Sequence, residues 1–169
     1  IAVNLSQLQF RQANLPIMIE SIIREEGIDP NLLELEITES MVMNSPTKTI
    51  DTMKKLRNIG VRLALDDFGT GYSSLNYLKQ FPINSIKLDR SFINDIVINP
   101  SDVAICAATI SLANDLGLNV IAEGVETVEH GRLLLDLGCE LAQGYGIARP
   151  MPPGEIPGWI ADWRAPESW

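Results

Sequence analysis

Val61-Arg62-Leu63-Ala64-Leu65-Asp66-Asp67 reads as a β-strand with two unlike faces. Side chains alternate along a strand, so Val61, Leu63 and Leu65 share one face and Arg62, Ala64 and Asp66 the other. The strands on either side in sequence split the same way. Leu33, Leu35 and Ile37 oppose Glu34 and Glu36, while Ile86 and Leu88 oppose Ser85, Lys87 and Asp89. The apolar sets are expected to face helices. In a sheet covered by helices on both sides, the second face would also have to be apolar. Inside a closed barrel that face is the lumen, and polar side chains at its carboxyl mouth are where barrel active sites lie.

Working outward, β-like runs are expected at Ile1–Leu5, Leu32–Thr38, Val61–Asp67, Ser85–Asp89, Asn119–Gly124 and Glu140–Gly144. Helical runs fill the gaps: about Leu15 to Glu26 with Gly27 as its stop, Ser45-Pro46 to Gly60, about Asp102 to Leu116 before Gly117, and about Thr127 to Gly138. Each combines an entry signal, apolar spacing of three or four and a terminal glycine. The Pro-rich stretch Arg149-Pro150-Met151-Pro152-Pro153 leads into a short last helix around Trp159 and Trp163. Strand–helix alternation at this spacing means parallel β/α units. An open doubly wound sheet and a closed (β/α)8 barrel both satisfy it, and the polar strand ends favour the barrel. A full barrel takes about 250 residues and eight strands, so this chain of 169 residues is expected to supply about six of the eight units.

Composition narrows the function. Thirteen Lys and Arg against 22 Asp and Glu give a net charge of −9. No basic block occurs, so a polymeric nucleic acid is not an expected partner. The chain is 46 % hydrophobic, enough for a core, yet has no apolar run long enough to cross a membrane. Ile1-Ala2-Val3-Asn4 is no signal peptide and lacks an initiator Met, so an excerpt of a longer chain is expected. Two cysteines, Cys106 and Cys139, make neither a disulfide framework nor a zinc cluster, which fits a cytoplasmic setting. His130 is the only histidine, so no site built on several imidazoles is possible.

Every strand ends on a strongly polar residue: Asn4, Glu36, Asp66 with Asp67, Lys87, Glu123 and Gln143. Carboxylates crowded at one mouth repel one another, and desolvation adds to the cost. A divalent cation offsets both. All-oxygen donors without His or Cys suit Mg²⁺ or Mn²⁺. The Asp66-Asp67 pair could set one carboxylate between two ions and the other on the second ion, an arrangement used in phosphate-ester hydrolysis. Asp67-Phe68-Gly69 alone suggests a protein kinase, but no glycine-rich phosphate loop or His-Arg-Asp loop accompanies it.

Val3-Asn4-Leu5-Ser6, Leu35-Glu36-Ile37-Thr38-Glu39-Ser40, Asp66-Asp67-Phe68-Gly69-Thr70-Gly71, Lys87-Leu88-Asp89, Ala122-Glu123-Gly124-Val125-Glu126-Thr127 and Gln143-Gly144-Tyr145 occur in this order. Together they resemble the motifs of the EAL family, the bacterial cyclic-di-GMP phosphodiesterases, over the whole chain. The resemblance implies that residues 1–169 are the C-terminal two-thirds of an EAL-domain TIM-type (β/α)8 barrel. It implies two Mg²⁺ or Mn²⁺ ions, with Asn4, Glu36 and Asp66 on the first and Asp66, Asp67 and Glu123 on the second. Lys87 would orient or help deprotonate the attacking water. Gln143 and Glu126 would hold water and the supporting shell, making Lys87, Glu123, Glu126 and Gln143 the catalytic set.

By the same resemblance Asp67, Asp89 and Tyr145 would contact cyclic-di-GMP, and linear pGpG would be the product. Glu39 would anchor the loop after Asp67, Phe68 to Ser74, which would couple metal binding to a homodimer interface. The family's Glu-Ala-Leu glutamate is a further ligand of the first ion, and no Glu-Ala-Leu occurs here. It is expected upstream, where sensor or cyclase domains and a membrane anchor have room to be fused, and the 169 residues alone are expected to be inactive. A catalytically silent cyclic-di-GMP receptor and a protein-interaction module are the alternatives; the retained carboxylates and lysine favour the enzyme.

Other residues have plainer readings. Glu34 and Arg62, deeper on the lumen face, are expected to form a structural ion pair at the barrel floor. His130 is expected at the solvated surface, and Met41, Met43 and Met53 in packing. Tyr145 is read either as a wall of the guanine pocket or as core.

Overall fold

The computed structural model describes residues 1–43, 46–71 and 75–169. Six parallel strands form one sheet in chain order: β1 (Ala2–Asn4), β2 (Glu34–Thr38), β3 (Arg62–Phe68), β4 (Ser85–Leu88), β5 (Asn119–Glu123) and β6 (Leu141–Gln143). Helices α1 (Gln7–Phe10), α2 (Leu15–Glu26), α3 (Glu39–Met43), α4 (Pro46–Ile59), α5 (Leu75–Leu78), α6 (Arg90–Asn94), α7 (Pro100–Asp115), α8 (Val128–Asp136) and α9 (Ile156–Asp162) intervene or follow. Parallel strands linked only through helices, each adding beside the last, are the β/α units of a TIM-type barrel. Six of the eight units are present. The chain packs as two units, Ile1–Lys87 with Asp115–Asn119, and Leu88–Asn114 with Val120–Trp169.

The sequence signals explain the long helices. α2 spans the expected residues, with Pro16 in its first turn and Gly27 left-handed at its C-cap, φ 64°, donating its N–H to the Ile23 carbonyl. Thr127 caps α8 through its side chain, which accepts the His130 N–H. α7 starts at Pro100, two residues before the expected Asp102. Ser45, expected at the entry of α4, lies outside the described residues. Four short helices were not anticipated: α1, α3, α5 and α6, of four or five residues each. They follow strand ends and are too brief to show a helical period.

In the first unit, β2 and β3 pair with Leu35 opposite Leu63 and Ile37 opposite Leu65. These four side chains are buried, as are Met53 and Leu56 of α4. Complete burial of such a side chain stabilises the fold by roughly 1.5–3 kcal/mol, so this layer holds the strand register. Asn84 clamps the next strand: its Oδ1 accepts the Leu63 N–H at 3.0 Å and its N–H donates to the Leu63 carbonyl at 2.8 Å. On the opposite face Glu34 meets Arg62, with Nε to Oε2 at 3.8 Å, and also accepts from Ser85 Oγ at 2.9 Å. The expected pair is present, but the Arg62 side chain is 45 % exposed, so it closes the floor from the solvent side.

In the second unit, Ile93, Ile96, Cys106, Ile110, Val120, Ala122, Val125 and Leu134 are buried. His130 corrects the surface expectation. It is only 8 % exposed. Its position in the first turn of α8 lets Nδ1 face the Glu126 N–H at 3.5 Å while its own N–H donates to Thr127 Oγ1. The polar residue is therefore part of the cap rather than of the solvated face.

Both end strands are exposed throughout: Ala2 to Asn4 in β1 and Leu141 to Gln143 in β6.

Candidate active site

In the first unit the carboxyl ends of β2, β3 and β4 bring Glu36, Asp66 and Lys87 together. Lys87 Nζ lies 2.7 Å from Glu36 Oε1 and 3.4 Å from Asp66 Oδ1. All three are nearly closed to water, at 4 % exposure for Lys87, 6 % for Glu36 and 9 % for Asp66. Removing such charges from water costs several kcal/mol per ion, and the arrangement persists only because opposite charges meet. Both acids face the same lysine. Asp66 Oδ1 also accepts the Asp67 N–H at 3.0 Å. Asn4 stands exposed at the carboxyl end of β1, which pairs with β2 so that Asn4 is opposite Glu36.

Asp67 ends this motif in a left-handed conformation, φ 56°, the one non-glycine with positive φ among the described residues. Such backbone costs of order 1–3 kcal/mol and is least unfavourable for Asp and Asn. The turn beyond holds it: Thr70 Oγ1 donates to the Asp67 carbonyl at 2.9 Å, and Gly69 donates its N–H to Glu39 Oε2 at 3.1 Å. Glu39, the buried first residue of α3, thus reaches the loop after Asp67. A Cβ on Gly71 would lie 3.0 Å from Glu39 Oε1, so the loop rests against this carboxylate. Tyr72, Ser73 and Ser74 of the expected dimer loop lie outside the described residues.

In the second unit Glu123 and Gln143 end β5 and β6 side by side, with Gln143 Nε2 donating to Glu123 Oε1 at 2.7 Å. A cavity of about 430 Å³ opens there, lined by Arg90, Glu123, Glu126, Gln143, Tyr145 and Arg149. Arg149 sits over the Tyr145 ring, its guanidinium carbon 4.8 Å from the centroid, a cation–π contact. Tyr145 is therefore a cavity wall, not core. Arg149, in sequence only the head of a Pro-rich stretch, is brought onto this ring by the turn after β6, which no sequence period marks. Glu126 presents an exposed side chain. Asp89 caps α6, accepting the Ser91 N–H at 2.9 Å and the Ser91 hydroxyl.

Cys106 and Cys139 are free and buried. Burial raises the Cys106 thiol to about 11, with Asp102 and Cys139 adding to it. Cys139 is also raised by burial, partly opposed by backbone hydrogen bonds. Neither is an activated nucleophile.

A barrel-type parallel sheet whose strand ends gather carboxylates, with no His or Cys among them, is the class of fold and site that suits hard cations. The EAL domain model matches residues 1–150, and the chain belongs to the EAL domain family. An uncharacterized protein of Synechocystis, sll1895, is 47 % identical over 162 residues, 96 % of this chain and 23 % of the relative. The bifunctional diguanylate cyclase/cyclic di-GMP phosphodiesterase MucR of Pseudomonas aeruginosa is 42 % identical over 92 % of this chain and 23 % of its own length. The cyclic di-GMP phosphodiesterase NbdA of the same organism is 40 % identical over 97 % and 21 %. The chain thus spans less than a quarter of the length of these relatives. Among solved structures, the MucR phosphodiesterase in complex with c-di-GMP matches with TM-score 0.89 and 42 % identity, over 92 % of this chain and 63 % of that one. The manganese/cy-diGMP complex of Klebsiella pneumoniae BlrP1 matches with TM-score 0.82 and 35 % identity, over 88 % and 38 %.

Proposed function

We propose that this domain is a metal-dependent phosphodiesterase that opens cyclic-di-GMP to linear pGpG, acting in the cytoplasm. The observation that carries the reading is the buried cluster of Glu36, Asp66 and Lys87, two carboxylates sharing one ammonium. Family membership, the c-di-GMP complex of MucR and the manganese complex of BlrP1 support it. No helix among the described residues is long and apolar enough to cross a membrane.

The donor chemistry fits two Mg²⁺ or Mn²⁺ ions. Asn4, Glu36, Asp66, Asp67 and Glu123 offer only oxygen, and Glu36 with Asp66 already requires a cation in its buried setting. We assign Asn4, Glu36 and Asp66 to the first ion and Asp66, Asp67 and Glu123 to the second. When bound, such ions supply Lewis-acid charge for the phosphoryl oxygens and for water activation. Lys87 lies between Glu36 and Asp66, and we assign it to orienting the attacking water and offsetting charge developing on phosphate rather than to accepting a proton. Gln143 fixes the Glu123 carboxylate through its amide. Glu39 holds the Asp67 turn through Gly69. Glu126 is assigned with Gln143 to holding water and the supporting shell, Asp67, Asp89 and Tyr145 to the substrate side, and a homodimer through the loop after Asp67 to the assembled protein.

The test is hydrolysis of cyclic-di-GMP during Mg²⁺ titration, in a chain that also supplies the family's Glu-Ala-Leu strand. Asp66→Asn is expected to abolish turnover at every Mg²⁺ concentration. Asp67→Asn should retain the first ion and require far more Mg²⁺ for residual turnover. Near-wild-type rates for both variants would overturn the two-ion assignment. Tight cyclic-di-GMP binding without hydrolysis in the unsubstituted chain would make the domain a receptor.

A further inference from the structure

We propose that the first unit carries a second ligand site, lined by none of the strand-end carboxylates, built for a phosphate ester of mononucleotide size. A cavity of about 480 Å³ lies among residues of α1, the segment after it, α3 and α4. Small-molecule sites fall in the range of roughly 300–1,000 Å³. Arg11 and Lys48 line this one, and among the described residues no carboxylate does. That is unusual on a chain of net charge −9. Neither cation has an acid within ion-pair distance among the described residues. Lys48 also lies in the first turn of α4, where the helix dipole adds positive potential. Both side chains are exposed at the rim, where they can turn toward an anion in the hollow.

The rest of the lining says which anion. Gln7 and Gln12 offer amide donors, while Phe10 and Met41 contribute apolar surface. A lone phosphate would leave most of the volume and all of the apolar wall unused. A phosphate joined to a planar organic body uses both: its charge meets Arg11 and Lys48, and its ring covers Phe10 and Met41. The adjoining hollow, about 700 Å³, is a poorer candidate. Its Lys55 is already paired with Asp51 at 2.9 Å.

This inference does not rest on the proposed phosphodiesterase activity. Equilibrium dialysis of a chain that also carries the two further β/α units closing the barrel, against AMP and against inorganic phosphate, tests it, at low salt and with EDTA present. EDTA prevents the strand-end carboxylates from recruiting phosphate through metal ions. AMP is expected to bind once per chain and about tenfold more tightly than inorganic phosphate. Arg11→Gln and Lys48→Gln should each weaken AMP binding about tenfold, the effect of losing one charge-assisted contact. Arg57→Gln, in the last turn of α4 and outside the cavity, should leave it unchanged. Circular dichroism of each variant separates lost binding from lost fold. The proposal fails if AMP shows no saturable binding at millimolar concentration, if both variants bind like the parent, or if phosphate binds as tightly as AMP.

Discussion

Lys87 is the residue on which buried charge at the first unit's strand ends depends. Its ammonium is the cation within reach of both Glu36 and Asp66. Lys87→Ala leaves two carboxylates in a nearly dry setting, and breaking such a cluster costs about 3–5 kcal/mol. A large drop in thermal midpoint is therefore expected in EDTA, with partial recovery in Mg²⁺ because the ion replaces the lost charge. Equal midpoints for parent and variant in EDTA would remove this account. If the proposed activity holds, the same variant should lose about 10²–10⁴ in kcat with little change in KM, since the charge acts on the transition state. Cys106 gives a second expectation. Its thiol stays protonated to about 11 in the fold against 9.0 in an unfolded chain. Between those values the unfolded state has lost a proton that the native state keeps, so stability falls as pH rises from 9.0 toward 11. Urea titrations across that interval should show a falling midpoint, and Cys106→Ala should flatten the part of the fall due to this thiol.

At the scale of elements, the strand ends in the second unit depend on close backbone approach. A Cβ at Gly144 would lie 2.2 Å from the Val125 carbonyl oxygen and 2.3 Å from its nitrogen. Real Cβ atoms do not come that near, and the obstacle is backbone, which cannot turn aside. The Val125 N–H donates to the Gln143 carbonyl at 3.1 Å, so the same spot sets where Gln143 meets Glu123. Gly144→Ala is expected to destabilise by several kcal/mol, as overpacking against fixed atoms does, and to separate Gln143 from Glu123. Gly154→Ala, with open space around its Cβ, is the control. This dependence was invisible in the sequence, where Gly144 reads as an ordinary strand stop. The strands were legible because alternation survives burial: Leu35, Leu63 and Leu65 are buried on one side while Glu36 and Asp66 gather on the other. α1 and α3 were not legible, because four or five residues show no period. His130 was misread for another reason. A histidine in a polar first turn looks solvated, and only the fold reveals that it closes the α8 cap. Asp67 carried its chemistry in the motif but not its left-handed backbone.

At the scale of the whole molecule, the decisive feature is that a barrel fold is represented by six strands. A closed barrel has no edges, whereas β1 and β6 end this sheet and are exposed along their length. Each presents a row of backbone N–H and C=O groups able to pair with another strand. Ile1 and Val3 at one end and Leu141 at the other add exposed apolar surface. Both are short, three residues each, but neither carries the charge or proline that blunts an edge. A protein of just these 169 residues should therefore self-associate through its edges. Light scattering coupled to size exclusion is expected to show mass rising with concentration from micromolar upward. Lysine substitutions that place charge on the edges, Val3→Lys and Leu141→Lys, should suppress the association without improving the melt. Adding the two missing β/α units of an EAL domain, in the same chain, should both suppress it and sharpen the melt, because only closure satisfies the edge groups. A sharp, cooperative melt from a strictly monomeric 169-residue chain would mean that the edges are protected by contacts other than strand pairing.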